Sequence, residues 1–314
     1  MRFDPGYTIP SRVTWCMIWF PLALAGAMAQ AMYSAGAKIL LRQVPAAQVA
    51  GGSFLVAAVS LAAISFSRGF PSIEPGFSEA VLVTVTINTV ATVLFYRALS
   101  LSDISLCLPI LSFTPVFLLL TSFFILGEIP SIAGLAGIFL VAAGSYLLAA
   151  DGTSGKARGW TGPFRFLLSD RGVRFMLVVA FLYSISVNYD KVVVERSDPV
   201  FASAVVLGLL ACIFLLQASI PVLSGKSYPP LPREKSRGTS LLMIGLGLVL
   251  TMETVTVNTA YTLSLVPYVI AIKRLSVLFG VIIGGYLFRE GSIRQRAFGT
   301  IVMVTGTVLI AVWG

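Results

Sequence analysis

Two adjacent cations, Lys273 and Arg274, lie inside an apolar stretch of the sequence, A-I-K-R-L-S-V-L-F-G. Successive residues of an α-helix point about 100° apart, and a charge at bilayer depth costs several kcal/mol, so both cations need partners. Glu253 lies in another apolar run and can pair with one of them, which leaves the other for an anionic ligand. A purely structural network of cations and carboxylates is the alternative interpretation.

Other polar residues recur at helical spacing inside the apolar runs. Residues three or four positions apart share one face of a helix, so such stripes can line a cavity. In two stripes the last residue is a lysine, and the alternative is that both lysines only reach the membrane interface as topology anchors. Asp190 could also neutralise one of these charges. The two stripes are Gln30, Ser34 and Lys38, and Ser184, Asn188 and Lys191.

Hydroxyl and amide groups complete the candidate binding set. Thr84, Asn88 and Thr92 share a helix face, although threonines in membrane helices often bond only to their own backbone. Tyr261 and Tyr268 could donate hydroxyls to the same pocket as the two cations. The predicted substrate-binding residues are Lys273, Arg274, Glu253, Lys38, Lys191, Gln30, Asn88, Asn188 and Tyr268.

The composition excludes several classes of function. The chain has no histidine, and Cys16, Cys107 and Cys212 have no metal-ligand spacing, so neither a metal site nor a cofactor is expected. No D-D-x-x-D or G-x-G-D motif of an intramembrane enzyme occurs, so catalysis is not expected. The net charge of +9 is assigned to membrane topology and the transport path, not to nucleic acid.

The apolar runs predict a helical membrane protein. Only 11% of the residues are charged and 57% are hydrophobic, whereas a soluble domain carries about 25% charged residues. Ala27-Met28-Ala29 resembles a signal-peptidase site, but we expect the first run to remain as a span, because the sixth run in the equivalent place has no such site. The predicted spans, each near the ~20 residues that cross a bilayer, are 15–37, 46–66, 78–98, 104–126, 131–150, 173–194, 200–223, 240–265, 267–288 and 293–313.

The sequence also repeats itself. Residues 98–149 align without a gap on residues 260–311, at a constant offset of 162 positions that places Glu128 on Glu290. Five spans per copy is an odd number, so the second copy enters the membrane from the opposite face. The prediction is an all-α integral membrane protein with ten transmembrane helices in two inverted five-helix repeats. Its parts are a first repeat at 14–150, a connecting loop at 151–172 and a second repeat at 173–314.

Basic residues predict the sidedness. The predicted loops carry four Lys and Arg residues on the side of the termini and fourteen on the other side. Because positive residues stay cytoplasmic, the count places both termini outside and the loops 151–172 and 224–238 inside.

Five motifs carry a resemblance to a known family. The first copy contains F-Y-R-A-L-S-L, P-I-L-S-F-T-P-V-F and L-G-E-I-P, and the second copy contains N-T-A-Y-T-L-S-L and L-F-R-E-G. Together they resemble the drug/metabolite transporter superfamily and its EamA-like branch. The resemblance implies a two-repeat secondary carrier whose central cavity is lined by spans one, three, four, six, eight and nine. Its members carry amino acids, nucleotide sugars, sugar phosphates and drugs, and are often drawn with cytoplasmic termini, unlike the basic-residue count. The Lys273-Arg274 pair is similar to a basic pair that phosphate-translocating members use.

These features predict a secondary active transporter of the plasma membrane. We expect it to move a small polar, anionic metabolite, such as an amino acid, organic acid or phosphorylated solute, by alternating access. The expected partners are this solute, membrane lipids and coupled protons or a counter-solute. An exporter of cationic drugs or a lipid-headgroup flippase is the alternative.

Overall fold

The computed structural model describes residues 12–41, 43–101, 110–150, 171–223, 233–279, 283 and 297–313. These parts of the chain contain ten α-helices and no strand, which confirms the all-helical prediction. A 3₁₀ turn precedes the fourth helix. The helices are α1 (Arg12–Leu40), α2 (Ala46–Arg68), α3 (Phe77–Leu101), α4 (Thr114–Leu126), α5 (Ile132–Ala150), α6 (Arg171–Glu195), α7 (Pro199–Leu223), α8 (Arg233–Leu263), α9 (Val266–Lys273) and α10 (Ala297–Trp313).

The helices have the length and the surface of membrane helices. Five of them, α2, α3, α6, α7 and α8, are long and apolar enough to cross a membrane, and α4, α5 and α10 contain shorter apolar segments. Large apolar side chains face outward, such as Phe124 and Ile132, while Ala27 and Ala57 are fully buried between helices. Small residues inside and large apolar residues outside are typical of helix packing in lipid.

The two halves of the chain are interleaved. The most extensive packing joins a helix of the first half to a helix of the second, in the pairs α5–α10, α2–α7, α3–α6 and α1–α8. In addition, α4 contacts α6 and α9 contacts α1. Polar groups that lie between these pairs are therefore placed where the two halves of the chain meet.

Glycines allow α5 and α10 to approach at backbone distance. A Cβ atom on Gly137 would lie 2.8 Å from the carbonyl oxygen of Gly306, and one on Gly144 would lie 2.7 Å from that of Gly299. Both distances are too short for a real side chain, so this contact requires glycine. The pairing also shows that the two helices run antiparallel, because the earlier glycine of α5 meets the later glycine of α10.

The helix around the two cations is interrupted. α9 ends at Lys273, and the next backbone bonds, from Leu275 N to Ile272 O (2.9 Å) and from Val277 N to Arg274 O (3.0 Å), have 3₁₀ spacing. The sequence predicted a continuous span here. Residues 111–113, which form the 3₁₀ turn before α4, correspond to residues 273–275 at the repeat offset of 162. Both halves therefore interrupt the α-helical hydrogen-bond pattern at equivalent positions.

Candidate functional site

Lys273 and Glu253 form an ion pair between α9 and α8. Lys273 Nζ lies 2.7 Å from Glu253 Oε1, and their side chains are 25% and 6% exposed. The other carboxylate oxygen of Glu253 is buried and accepts no hydrogen bond from a described residue. The pair neutralises one of the two cations, as the sequence indicated for one of them.

Arg274, the next residue, has no ion pair with any residue that the structure describes. Its Nε is buried and donates to no described acceptor. Its charge interacts with the phenol groups of Tyr183 and Tyr261. Because the helix ends at Lys273, the guanidinium is placed by a turn and not by a regular helix. A planar, partly buried guanidinium in this state can receive a carboxylate or a phosphate through paired hydrogen bonds.

A network of hydroxyl, amide and carboxyl groups links α3 to α6. Thr84 Oγ1 donates to Asp190 Oδ1 and lies 2.8 Å from Ser186 Oγ. Asn88 Nδ2 donates to Ser186 Oγ (2.6 Å) and to Thr84 Oγ1 (3.2 Å). We call these four residues the hydroxyl network. Asp190 interacts electrostatically with Lys273, so the network borders the basic pair.

A second charged cluster lies at one end of the bundle, close to the end of α6. Gly127 stops α4 in a left-handed conformation with φ 69°, a position that favours glycine, and the turn directs Glu128 toward the second half. Lys191 Nζ lies 2.6 Å from Glu128 Oε1, and Val266 N donates to Glu128 Oε2 (2.9 Å). The carboxylate thus binds the lysine and the N-terminus of α9 together, which the helix dipole favours. We call Glu128, Lys191 and Val266 the end cluster.

Two further predicted residues lie away from the basic pair. Asn188 Nδ2 donates to Thr121 Oγ1 (2.9 Å) and to Ser184 O (2.8 Å), and its Oδ1 is buried without a described partner. The hydroxyl of Tyr268 accepts a bond from Ser131 N (2.8 Å), and its ring stacks on Trp19. The structure therefore does not bring Tyr268 into the pocket of Lys273.

The structure describes the side chains of only two residues of the stripe Gln30, Ser34 and Lys38. Gln30 Nε2 donates to Ser34 Oγ (3.4 Å) within α1, one turn apart as expected. The side chain of Lys38 lies outside the described side chains, and so does Glu290. Of the nine predicted residues, the structure gathers Lys273, Arg274, Glu253 and Asn88 around α8, α9 and the hydroxyl network.

Glu128 and Asp190 are the residues whose contacts sequence reasoning missed. The sequence placed Glu128 on Glu290 but gave it no partner, and it treated Asp190 only as a group that could neutralise one of the lysines of the polar stripes. The repeated glutamates Glu128 and Glu290, together with the lysine at the end of each polar stripe, were the available signal for the end cluster. No sequence signal showed that Thr84 would reach Asp190, because that contact joins separate helices.

A cavity of about 250 Å³ lies elsewhere in the described structure, between the start of α2 and helices α3 and α7. It contains no charged residue, so it is not the candidate site. Its lining residues are Ala46, Ala47, Val93, Phe214 and Gln217.

The comparison with protein families identifies the first half. Residues 17–150 match the model of the EamA-like transporter family. This segment is an EamA-like domain. The family consists of membrane transporters of the drug/metabolite type, and the match confirms the resemblance seen in the sequence over the first half of the chain.

Nearly the whole chain is similar in fold to a solved structure. A solved crystal structure, titled only as that of a protein, has a TM-score of 0.72 and 13% identity, covering 94% of this chain and 96% of the other. At that identity the likeness shows the fold alone. No curated protein matches the chain.

Proposed function

We propose that this EamA-like protein is a secondary transporter of a small anionic metabolite, which it binds through Arg274. The observation that carries the proposal is the buried Nε of Arg274, which has no described partner while its neighbour Lys273 is neutralised. A guanidinium at the centre of a membrane helix costs about 3 kcal/mol even on the lenient insertion scale. A carboxylate or phosphate would remove that cost, and organic acids, amino acids and phosphorylated solutes carry one.

The proposed mechanism is alternating access between two inverted repeats. Exchanging α1–α5 with α6–α10 converts the contact α3–α6 into α8–α1, and α4–α6 into α9–α1, and all four contacts are present. The glycine contact supports the same symmetry. Gly137 meets Gly306 and Gly144 meets Gly299, which is the crossed pairing that a twofold axis produces. Such repeats rock around a site between them.

The end cluster has the position of a gate in this mechanism. It joins Glu128 of the first half to Lys191 and Val266 of the second, at the end of the bundle where α6 finishes and α9 begins. We infer that this end is held closed here. The offset of 162 assigns the corresponding role at the opposite end to Glu290, and the repeated stripe assigns it to Lys38.

The location and sidedness are part of the proposal. We assign the protein to the plasma membrane, with the loops 151–172 and 224–238 in the cytoplasm, because fourteen basic residues of the predicted loops lie on that side. Protons or a counter-solute would drive transport.

A cationic substrate is the second candidate, and one observation favours it. Glu253 Oε2 is buried and accepts no hydrogen bond from a described donor, so it could receive the ammonium group of a cationic drug. The same fold could also move a lipid headgroup.

A ligand screen tests the proposal. Thermal stabilisation of the purified protein would be compared for phosphate, succinate, glutamate and tetraphenylphosphonium, on wild type, Arg274→Ala and the control Arg68→Ala. Arg68 is an exposed residue of the last turn of α2. We expect at least one anion to stabilise wild type and Arg68→Ala but not Arg274→Ala. Stabilisation by the cation alone, lost in Glu253→Gln, would replace the anion proposal by the drug-exporter function.

A further inference from the structure

We propose that Asp190 is the proton-binding residue of the transport cycle, and that it takes up a proton when the anion binds. The inference rests on the proposed anion site at Arg274. The proton comes from water on one side of the membrane and returns to water on the other side, so no further reactant is needed.

The first observation is that Asp190 has no ion pair with any described residue, although Lys191 follows it in the chain. Lys191 points instead to Glu128 at 2.6 Å and to Glu195 at 3.7 Å. Asp190 accepts its hydrogen bond from a neutral hydroxyl, that of Thr84. A carboxylate bound by a permanent cation is held in its charged form, and no such cation holds Asp190 within ion-pair distance in the described chain.

The second observation is that the hydroxyl network can satisfy Asp190 with or without a proton. In the charged form, Thr84 donates to Asp190 and accepts from Asn88. When Asp190 is protonated, its O–H can donate to Thr84, whose own proton then turns to Ser186 O, 3.4 Å away. Hydroxyl groups donate and accept through the same oxygen, so both states are satisfied without moving a helix.

The third observation is the balance of charge around the basic pair. Lys273 is neutralised by Glu253, while Arg274 and Asp190 remain as one cation and one anion without described ion-pair partners. A bound anion at Arg274 adds one negative charge in a region where charge is expensive. Protonation of Asp190 removes that excess, so a monovalent anion and a proton would cross together without net charge.

The titratable groups that face Asp190 are known from each neighbouring element. α9 contributes Lys273 and α8 contributes Tyr261, and both interact electrostatically with Asp190. Glu253 and Arg274 border the same region, because Glu253 pairs with Lys273 and Arg274 interacts with Tyr261. From α3, the uncharged Thr84 donates to Asp190, and the uncharged Asn88 donates to Thr84. On α6 itself, Lys191 pairs with Glu195 and with Glu128 of the first half.

The position of Asp190 links its proton to the motion of the halves. Thr84 belongs to the first half and Asp190 to the second, and their bond crosses the extensive α3–α6 contact. Reversing the donors of this network changes the bonds between two halves that must move relative to each other. A proton at this place can therefore bias the equilibrium between conformations.

The first experiment needs no substrate. Infrared difference spectra of the reconstituted protein, with the buffer cycled between about pH 5 and about pH 8, should show the band of a protonated carboxyl group. We expect that band to be lost in Asp190→Asn, to persist in the control Asp198→Asn, and to shift its midpoint in Thr84→Val. A band that is unchanged in Asp190→Asn overturns the proposal, whatever the substrate is.

The second experiment adds phosphate, succinate or glutamate to the weakly buffered protein and records proton uptake with an indicator dye. Wild type should take up a proton with the anion that stabilises it, and Asp190→Asn should bind that anion with no uptake. Equal uptake by both proteins overturns the coupling. If no anion binds wild type, the proposed function and the coupling to anion binding fail, while the infrared band still decides whether Asp190 titrates.

Discussion

Glu128 and Lys191 come from opposite halves of the chain, and their charged groups lie 2.6 Å apart with side chains only 7% and 13% exposed. The second oxygen of the same carboxylate receives the N–H of Val266 at the start of α9. One side chain thus ties α4 to both α6 and α9. An opening at this end of the bundle must separate these groups.

We predict that Glu128→Gln opens this end of the protein. Removing one partner leaves a buried cation, a loss of about 3–5 kcal/mol in buried pairs, here reduced because Glu195 lies 3.7 Å from the same lysine. Labelling of Ser264→Cys by an impermeant maleimide should become several-fold faster in Glu128→Gln. The exposed Glu195→Gln serves as control and should change little.

A charge exchange sharpens the same test. The double variant Glu128→Lys with Lys191→Glu restores a pair of opposite charges, so labelling of Ser264→Cys should return toward the wild-type rate, although the exchanged lysine cannot accept the Val266 N–H. Equal labelling in the wild type and in Glu128→Gln would show that the end cluster is not a gate. For the opposite end, Lys38→Ala should slow the labelling of Ser264→Cys, because it favours opening on the other side.

Replacing Lys273 and replacing Arg274 should have different effects on stability and on anion binding. Lys273→Ala leaves Glu253 buried without its cation, and we expect a loss of about 3 kcal/mol of stability. Arg274→Ala removes no described ion pair, so its melting temperature should stay within a few degrees of wild type while anion binding is lost. Thermal melting, with the remaining folded protein measured by size-exclusion chromatography, distinguishes Lys273→Ala from Arg274→Ala. The double variant Lys273→Met with Glu253→Leu should recover stability, and equal destabilisation by both single variants would contradict the assignment.

The glycine contact makes a prediction about stability. Gly137→Ala should destabilise the protein by about 1–3 kcal/mol, because its methyl group would meet the Gly306 carbonyl. Gly245→Ala is the matched control in α8, where an added Cβ meets nothing within 4 Å. Its helical position should gain about 0.5–1 kcal/mol. Melting temperatures of the two variants should therefore move in opposite directions.

Sidedness can be tested directly on intact cells. A cysteine at Gly155 should not react with an impermeant reagent added outside, while a cysteine added at the C-terminus should, because the basic loops are expected inside. Cys16, Cys107 and Cys212 are first replaced by serine or alanine to remove background. Reaction of the Gly155 variant alone would reverse the orientation and leave the fold unaffected.

Sequence reasoning reached the fold more completely than the site. Ten apolar runs predicted ten helices because length and hydropathy are local properties. The largest differences at the helix starts are at α4, which begins at Thr114 instead of near 104, and at α8, which begins at Arg233 instead of near 240. The Lys273–Glu253 pair followed from the cost of buried charge. The contact of Thr84 with Asp190 and the placement of Tyr268 on Ser131 depend on which helices are neighbours, and the spacing within one helix contains no information about that.

The contact between α5 and α10 also determines how the protein can be made. The partner of Gly137 and Gly144 is α10, which is synthesised long after α5, because α5 ends at Ala150 and α10 ends at Trp313. At 5–20 residues per second, α5 waits roughly 8–30 seconds for it, with the face of Gly137 and Gly144 uncovered in the bilayer. The first half alone would present that surface permanently. Productive synthesis therefore needs either an insertion partner that shields α5 or prompt completion of the second half, and fragments split within 151–170 should accumulate only when both are expressed together.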